Sequence, residues 1–260
     1  TMALAVIMTL TADIGTEHGL SFAVFLRAPF GTIGTHIPSV SRGVVAACWF
    51  GIQTYIGALA INGLVEYWTG FSSWPLWYAL FLAVQIANVA LGIKAVERLA
   101  SVAAPCILAI SIWMYYTLDG VADLEGTNIW TFASGGDLSL VAFFLINMVV
   151  WAPLAVDIPS ITRFVRTAPG ERRFLRRNRA VLTAHFVALP MMQAWISFIG
   201  AVSFIVTGQW NPVDVIQGQS TGLVLGVLLL MIVLAQWSTN TAANVVPAAL
   251  NFVNAAAPHL

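Results

Sequence analysis

Apolar runs long enough to cross a lipid bilayer recur along this chain, and the charges between them are sorted by sign at alternate junctions. An α-helix rises 1.5 Å per residue, so about 20 residues span a hydrocarbon core of about 30 Å. Runs of that order occupy residues 2–25, 37–65, 74–93, 99–118, 138–164, 180–207 and 221–253. They carry Leu, Ala, Gly and Pro throughout rather than the short alternating strands of a barrel. With 59% hydrophobic and 8% charged residues, the composition lies far outside the soluble norm. The expected fold is all-α and membrane-integral, a single transmembrane domain over residues 1–260 with about seven spanning helices. The first run is the weakest, because Asp13, Glu17 and His18 fall inside it.

Charge supports this count independently. Short loops rich in Lys and Arg stay on the cytoplasmic side of a membrane. Arg27 and Arg42 flank the first junction, Lys94 and Arg98 the third, and seven arginines from Arg163 to Arg179 the fifth. The loops between carry acids alone: Glu66, then Asp119, Asp123, Glu125 and Asp137, then Asp214. The Arg-rich loop is therefore expected in the cytoplasm and the protein in the inner, or plasma, membrane. Topology already explains that loop, so nucleic acid is not an expected partner. The chain opens on Thr1 without a basic leader, and a piece of a longer protein is expected.

Nothing in the sequence has the spacing of catalysis. His18, His36, His185 and His259 are scattered, and no nucleophile elbow or phosphate-binding glycine loop occurs. Cys48 and Cys106 lie inside apolar runs, where they read as small packing residues. Neither an enzyme nor an organic cofactor is expected.

Polar side chains inside the runs carry the functional signal, because hydrocarbon cannot solvate them. Trp49 and Gln53 stand four apart, hence one turn apart on one helical face. An indole beside an amide suits a planar, hydrogen-bonding heterocycle, while an interfacial tryptophan belt is the plainer reading of Trp49. In the fifth run Trp151 is followed by Pro153, Asp157 and Pro159. Two prolines remove backbone donors, giving either a break that lines a cavity or a simple kink. In the last run Ala235-Gln236-Trp237-Ser238-Thr239-Asn240-Thr241-Ala242-Ala243-Asn244 is a polar stretch. Hydroxyls and carbonyls suit hard cations. Ser and Thr also bond back to the preceding helical turn.

Three motifs in order on these runs resemble the nucleobase:cation symporter-1 family: Phe30-Gly31-Thr32-Ile33-Gly34 leading through Pro38 and Arg42 to Trp49-Phe50-Gly51-Ile52-Gln53-Thr54; Trp151 with Asp157-Ile158-Pro159-Ser160-Ile161-Thr162-Arg163-Phe164; and Asn240-Thr241-Ala242-Ala243-Asn244. The resemblance covers essentially the whole chain. It implies an inverted-repeat transporter fold of the amino acid–polyamine–cation type, of which this chain holds helices two to eight, with helix one and helices nine to twelve absent. By the same resemblance Trp49 and Trp151 stack on the substrate ring, and Gln53 and Asn244 hydrogen-bond its edges. The family's helix-eight sodium ligands fall on the Ala235 carbonyl and the Ser238 and Thr239 hydroxyls. The implied activity is alternating-access symport of a hydantoin, allantoin, uracil or cytosine with sodium, a proton being the alternative ion, by a monomer. An amino-acid transporter of the same fold and a non-transporting ligand-binding fragment are the competing expectations. Without helix one, this stretch alone is not expected to transport.

Overall fold

The computed structural model describes residues 2–133 and 139–256, so Asp137, Leu138 and His259 lie outside it. Every regular element among the described residues is helical. In order they are α1 (Met2–His18), α2 (Phe22–Phe25), α3 (Arg27–Gly34), α4 (His36–Thr69), α5 (Trp74–Ala90), α6 (Ile93–Leu124), α7 (Leu140–Asp157), α8 (Pro159–Thr162), α9 (Phe174–Arg177), α10 (Arg179–Thr183), α11 (Leu189–Thr207), α12 (Pro212–Gln219), α13 (Gly222–Asn240) and α14 (Val246–Ala256). Two π-helical turns, Ala184–Ala188 and Thr241–Val245, join α10 to α11 and α13 to α14.

Among the described residues, five helical stretches are long and apolar enough to cross a membrane: His36–Thr69, Ile93–Leu124, Leu140–Asp157, Arg179–Thr207 and Gly222–Ala256. Trp74–Ala90 is apolar but shorter. The first expected run is not one helix. It ends at His18, where Gly19 adopts a φ of +66° that stops a helix, and α2 and α3 follow as separate short pieces. The break expected in the fifth run is milder than unwinding. Pro153 sits inside α7, and Ile158, between α7 and α8, keeps helical φ and ψ of −56° and −30°. Large apolar side chains of α7 such as Leu140, Phe143, Ile146 and Val149 are exposed. That exterior is the one lipid requires.

The described chain forms two compact units, each drawn from separated segments: Thr1–Cys48 with Gly136–Ala194 and Val246–Leu260, and Trp49–Gly135 with Trp195–Val245. In the first unit Leu4, Met8 and Ala12 form an i, i+4 stripe on α1 that packs against Ala155, Ile158 and Val181. Gly15 continues it. A methyl there would meet the Thr162 hydroxyl, the Arg163 nitrogen at 2.7 Å and the Pro159 carbonyl at 2.8 Å. Small residues let helices approach this closely, and the Thr162 hydroxyl donates to the Ala12 carbonyl at 2.9 Å.

The acids that weakened the first run have partners here. The Arg177 guanidinium donates to Asp13 at 2.7 and 2.9 Å and to Glu17 at 2.8 Å, while the Asn178 amide also donates to Asp13. Arg42 departs from its expected place beside a loop. It lies in α4, 6% exposed, paired with fully buried Asp157 at 3.2 Å. The two are far apart in sequence, so spacing could not reveal the pair. The Ser160 hydroxyl and the Asn251 amide donate to the same carboxylate.

In the second unit the stripe Ile110, Met114, Leu118 and Ala122 of α6 packs on Leu225, Leu228, Leu229 and Ile232 of α13. Gly57 brings α4 against the Phe81 ring of α5, leaving no room for a methyl.

Candidate functional site

The middle of α4 carries the polar centre of the second unit. Thr54 is fully buried and donates to the Phe50 carbonyl one turn back at 2.7 Å. Gln85, a fully buried amide inside apolar α5, donates to the Thr54 hydroxyl at 3.1 Å and to the Phe81 carbonyl at 3.3 Å. Asn240, at the end of α13, donates to Gln85 Oε1 at 2.8 Å and lies 3.1 Å from both the Phe50 carbonyl and the Thr54 hydroxyl. Asn240 is itself fully buried, and buried polar groups of this kind fix a structure when they satisfy one another.

Asn244 is placed by that network. It sits four residues on, in the π turn Thr241–Val245, and its amide donates to Asn240 Oδ1 at 2.8 Å. Its own Oδ1 is reached by no donor among the described residues. Single π turns inside α-helices recur at functional sites.

Gln53 follows a different pattern from its neighbour Thr54. A step of 100° around the helix turns it out of the network, and its Oε1 is buried with no hydrogen-bond partner among the described residues. Trp49 stands one turn before it, half-buried. An unused amide oxygen beside an indole is a receptor for a flat ring with an N–H edge. Trp49, Gln53 and Asn244 thus belong to one unit, with Thr54 and Asn240 linking α4 to the π turn.

Trp151 belongs to the first unit. Its indole N–H donates to Gln193 Oε1 at 3.0 Å, and the Gln193 amide reaches Asn147 Oδ1 at 3.4 Å. That bond holds the polar edge of the ring, and its apolar body packs against the cluster of Leu4, Met8 and Ala155. Downstream, Pro159 has no N–H to give the Ala155 carbonyl, and the Thr11 hydroxyl of α1 supplies the missing donor at 2.7 Å.

The three expected cation ligands divide. The Thr239 hydroxyl donates to the Ala235 carbonyl at 2.8 Å, so the back-bond between turns is present. Both residues line a cavity of about 270 Å³ with Ser111, Ser203 and Gln236. Ser238, the next position around the helix, is buried and is not among its lining. Gln85 and Asn240 position Asn244, and Gln193 holds Trp151, roles the sequence did not disclose. An amide inside an apolar run, as at Gln85, is the signal that could have found them.

A family model for permeases of cytosine and purines, uracil, thiamine and allantoin matches residues 1–259. The chain belongs to this family. Among curated relatives, the hydantoin permease of Microbacterium maritypicum is 30% identical over 92% of this chain and 50% of its own length. The purine-uracil permease of Arabidopsis thaliana is 30% identical over 97% and 44%, and the allantoin permease of Bacillus subtilis 25% identical over 95% and 54%. The chain spans about half the length of these relatives. Mhp1, a nucleobase-cation-symport-1 family transporter solved in a closed conformation with bromovinylhydantoin bound, superposes with a TM-score of 0.86 at 28% identity, covering 97% of this chain and 57% of Mhp1. Its inward-facing conformation gives 0.79 over 94% and 54%. Members of this family are permeases rather than enzymes, and this permease-family chain, with its several apolar helices, is a multi-pass membrane protein.

Proposed function

We propose that the protein is a secondary transporter that carries a planar heterocycle of the hydantoin, allantoin, uracil or cytosine class across the inner membrane by cation symport and alternating access. The observation that carries this reading is the buried, unpartnered Oε1 of Gln53 one turn from Trp49. A buried acceptor without a donor is destabilising by about 1–3 kcal/mol, and a lactam N–H relieves it. Asn244 Oδ1 offers a second acceptor to the ring edge, and the indoles of Trp49 and Trp151 offer stacking faces, each within its own unit. Relatives named for hydantoin, allantoin and uracil, and the hydantoin bound to Mhp1, support the substrate class.

Sodium is the proposed coupling ion, held by the Ala235 carbonyl and the Ser238 and Thr239 hydroxyls. These are neutral hard oxygens, the donor type such a cation takes. A hydroxyl that donates to the Ala235 carbonyl keeps lone pairs for a cation. Among the described residues, no titratable side chain lines the cavity beside Ala235 and Thr239, which favours sodium over a proton. Coupling requires the ion to bind the substrate-ready state more tightly than the other, since equal affinity shifts nothing. The Arg-rich segment between α8 and α10 is proposed to face the cytoplasm.

The test is uptake of labelled hydantoin, allantoin, uracil and cytosine by cells expressing the complete open reading frame, with sodium present or replaced by choline. Uptake of one ring that collapses in choline is expected. Sodium-independent uptake would remove the ion role of Ser238 and Thr239, and no uptake of any ring by well-expressed protein would overturn the substrate class.

A further inference from the structure

Where the Arg179–Thr207 spanning stretch begins, the first unit holds a cavity of about 500 Å³ whose lining includes Arg166, Thr167, Arg176, Arg177, Arg179 and Thr183. Among the described residues, no carboxylate lines it. Its four guanidinium groups are compensated very unequally. Arg177 is saturated by Asp13 and Glu17, and its side chain is 7% exposed. Arg176 reaches only Glu171, at 3.9 Å, with its side chain 67% exposed. The Arg166 and Arg179 side chains are exposed, and their guanidinium groups make no hydrogen bond or ion pair with any described residue. Arg177 therefore acts as a fixed wall while three other guanidinium groups wait at its rim for negative charge.

Guanidinium forks match the oxygens of a phosphate, and the half-buried Thr167 adds a hydroxyl that no described residue uses. The cavity's position identifies the source of such a phosphate. Its residues start just after α8 and end within α10, where the Arg179–Thr207 spanning stretch begins. Phe164 and Leu175 beside it are exposed apolar side chains. Basic groups at the level of lipid headgroups, flanked by apolar surface, suit a ligand with an anionic head and an apolar tail. A free anion would meet only the basic half of that arrangement.

We propose that this cavity binds the phosphate of an anionic phospholipid headgroup, with Arg166 and Arg179 as its principal ligands and Arg176 as a third. The proposal rests on the chain's membrane insertion and is independent of which ring is transported.

The full-length protein, purified in detergent, is loaded with dioleoyl phosphatidylglycerol in competition with dioleoyl phosphatidylcholine, and retained lipid is read by native mass spectrometry. Wild type is expected to retain phosphatidylglycerol preferentially. R166Q/R179Q should weaken retention roughly thirtyfold, at about one headgroup interaction lost per arginine. R172Q/R173Q removes equal charge from the same loop outside the cavity and should leave retention unchanged. Equal losses in the two double variants, or no preference over phosphatidylcholine, would reduce the effect to diffuse charge and overturn the site. Displacement of phosphatidylglycerol by millimolar inorganic phosphate would overturn the lipid as its source. All four substituted arginines are exposed, so matched thermal unfolding of the variants is expected and confines the readout to binding.

Discussion

The hydroxyl of Thr11 occupies the place of the backbone donor that Pro159 lacks, 2.7 Å from the Ala155 carbonyl. A helix interrupted by proline is thereby stitched to its neighbour rather than to itself. Thr11→Val keeps the shape and removes the donor. Stability should fall by about 1 kcal/mol, read as an earlier unfolding midpoint of the complete protein in detergent, with expression retained.

Gln53 makes no internal hydrogen bond through Oε1, so its removal separates binding from folding. Gln53→Leu should leave the unfolding midpoint unchanged or slightly raised while weakening ring binding by about ten- to a hundredfold, the range of one buried hydrogen bond. Equilibrium binding of the transported ring to purified protein checks it. A variant that loses stability and affinity together would show Gln53 to be structural.

Gln85 is expected to behave in the opposite way. Gln85→Leu removes the 2.8 Å acceptor of the Asn240 amide and leaves it the Phe50 carbonyl and Thr54 hydroxyl at 3.1 Å, and should destabilise by about 1 kcal/mol. Affinity should fall as well, because Asn244 is oriented only through Asn240. Asn240→Leu combined with Gln85→Leu should cost less than the sum of the single changes, as members of one network do.

Trp151 and Gln193 form a positioning pair at 3.0 Å. Gln193→Leu frees the indole edge without touching its faces. It should raise KM several-fold with kcat nearly unchanged, and Trp151→Phe should be insensitive to it in a double-mutant cycle.

Gly15→Ala places a methyl against the backbone of Pro159 and Arg163, neither of which can give way as a side chain would. A loss of about 3 kcal/mol is expected, seen as sharply reduced folded yield of the complete protein.

Composition and charge order revealed the class of this fold because lipid demands long apolar helices and sorts basic loops to one side. They were less informative wherever a polar residue meets a partner far along the chain. Asp13 and Glu17 looked like defects in a span, yet Arg177, some 160 residues on, neutralises both. Asp157 stood in sequence only as an acid between two prolines, although it is a fully buried counter-charge to Arg42. Trp49, Gln53, Trp151 and Asn244 were legible through a family resemblance. The residues that aim them, Gln85, Asn240 and Gln193, were not, since only packing brings α5, α13 and α11 to the places where their amides matter.

Along α4, which runs from His36 to Thr69, Thr54 stands near the middle, about 27 Å from one end and about 22 Å from the other. The polar network begins there, at a residue with no exposed surface. The neighbouring Gln53 Oε1 is buried with no hydrogen-bond partner among the described residues, a polar defect far from either helix end. Relief of that defect becomes part of the affinity for whatever ring supplies the missing proton donor.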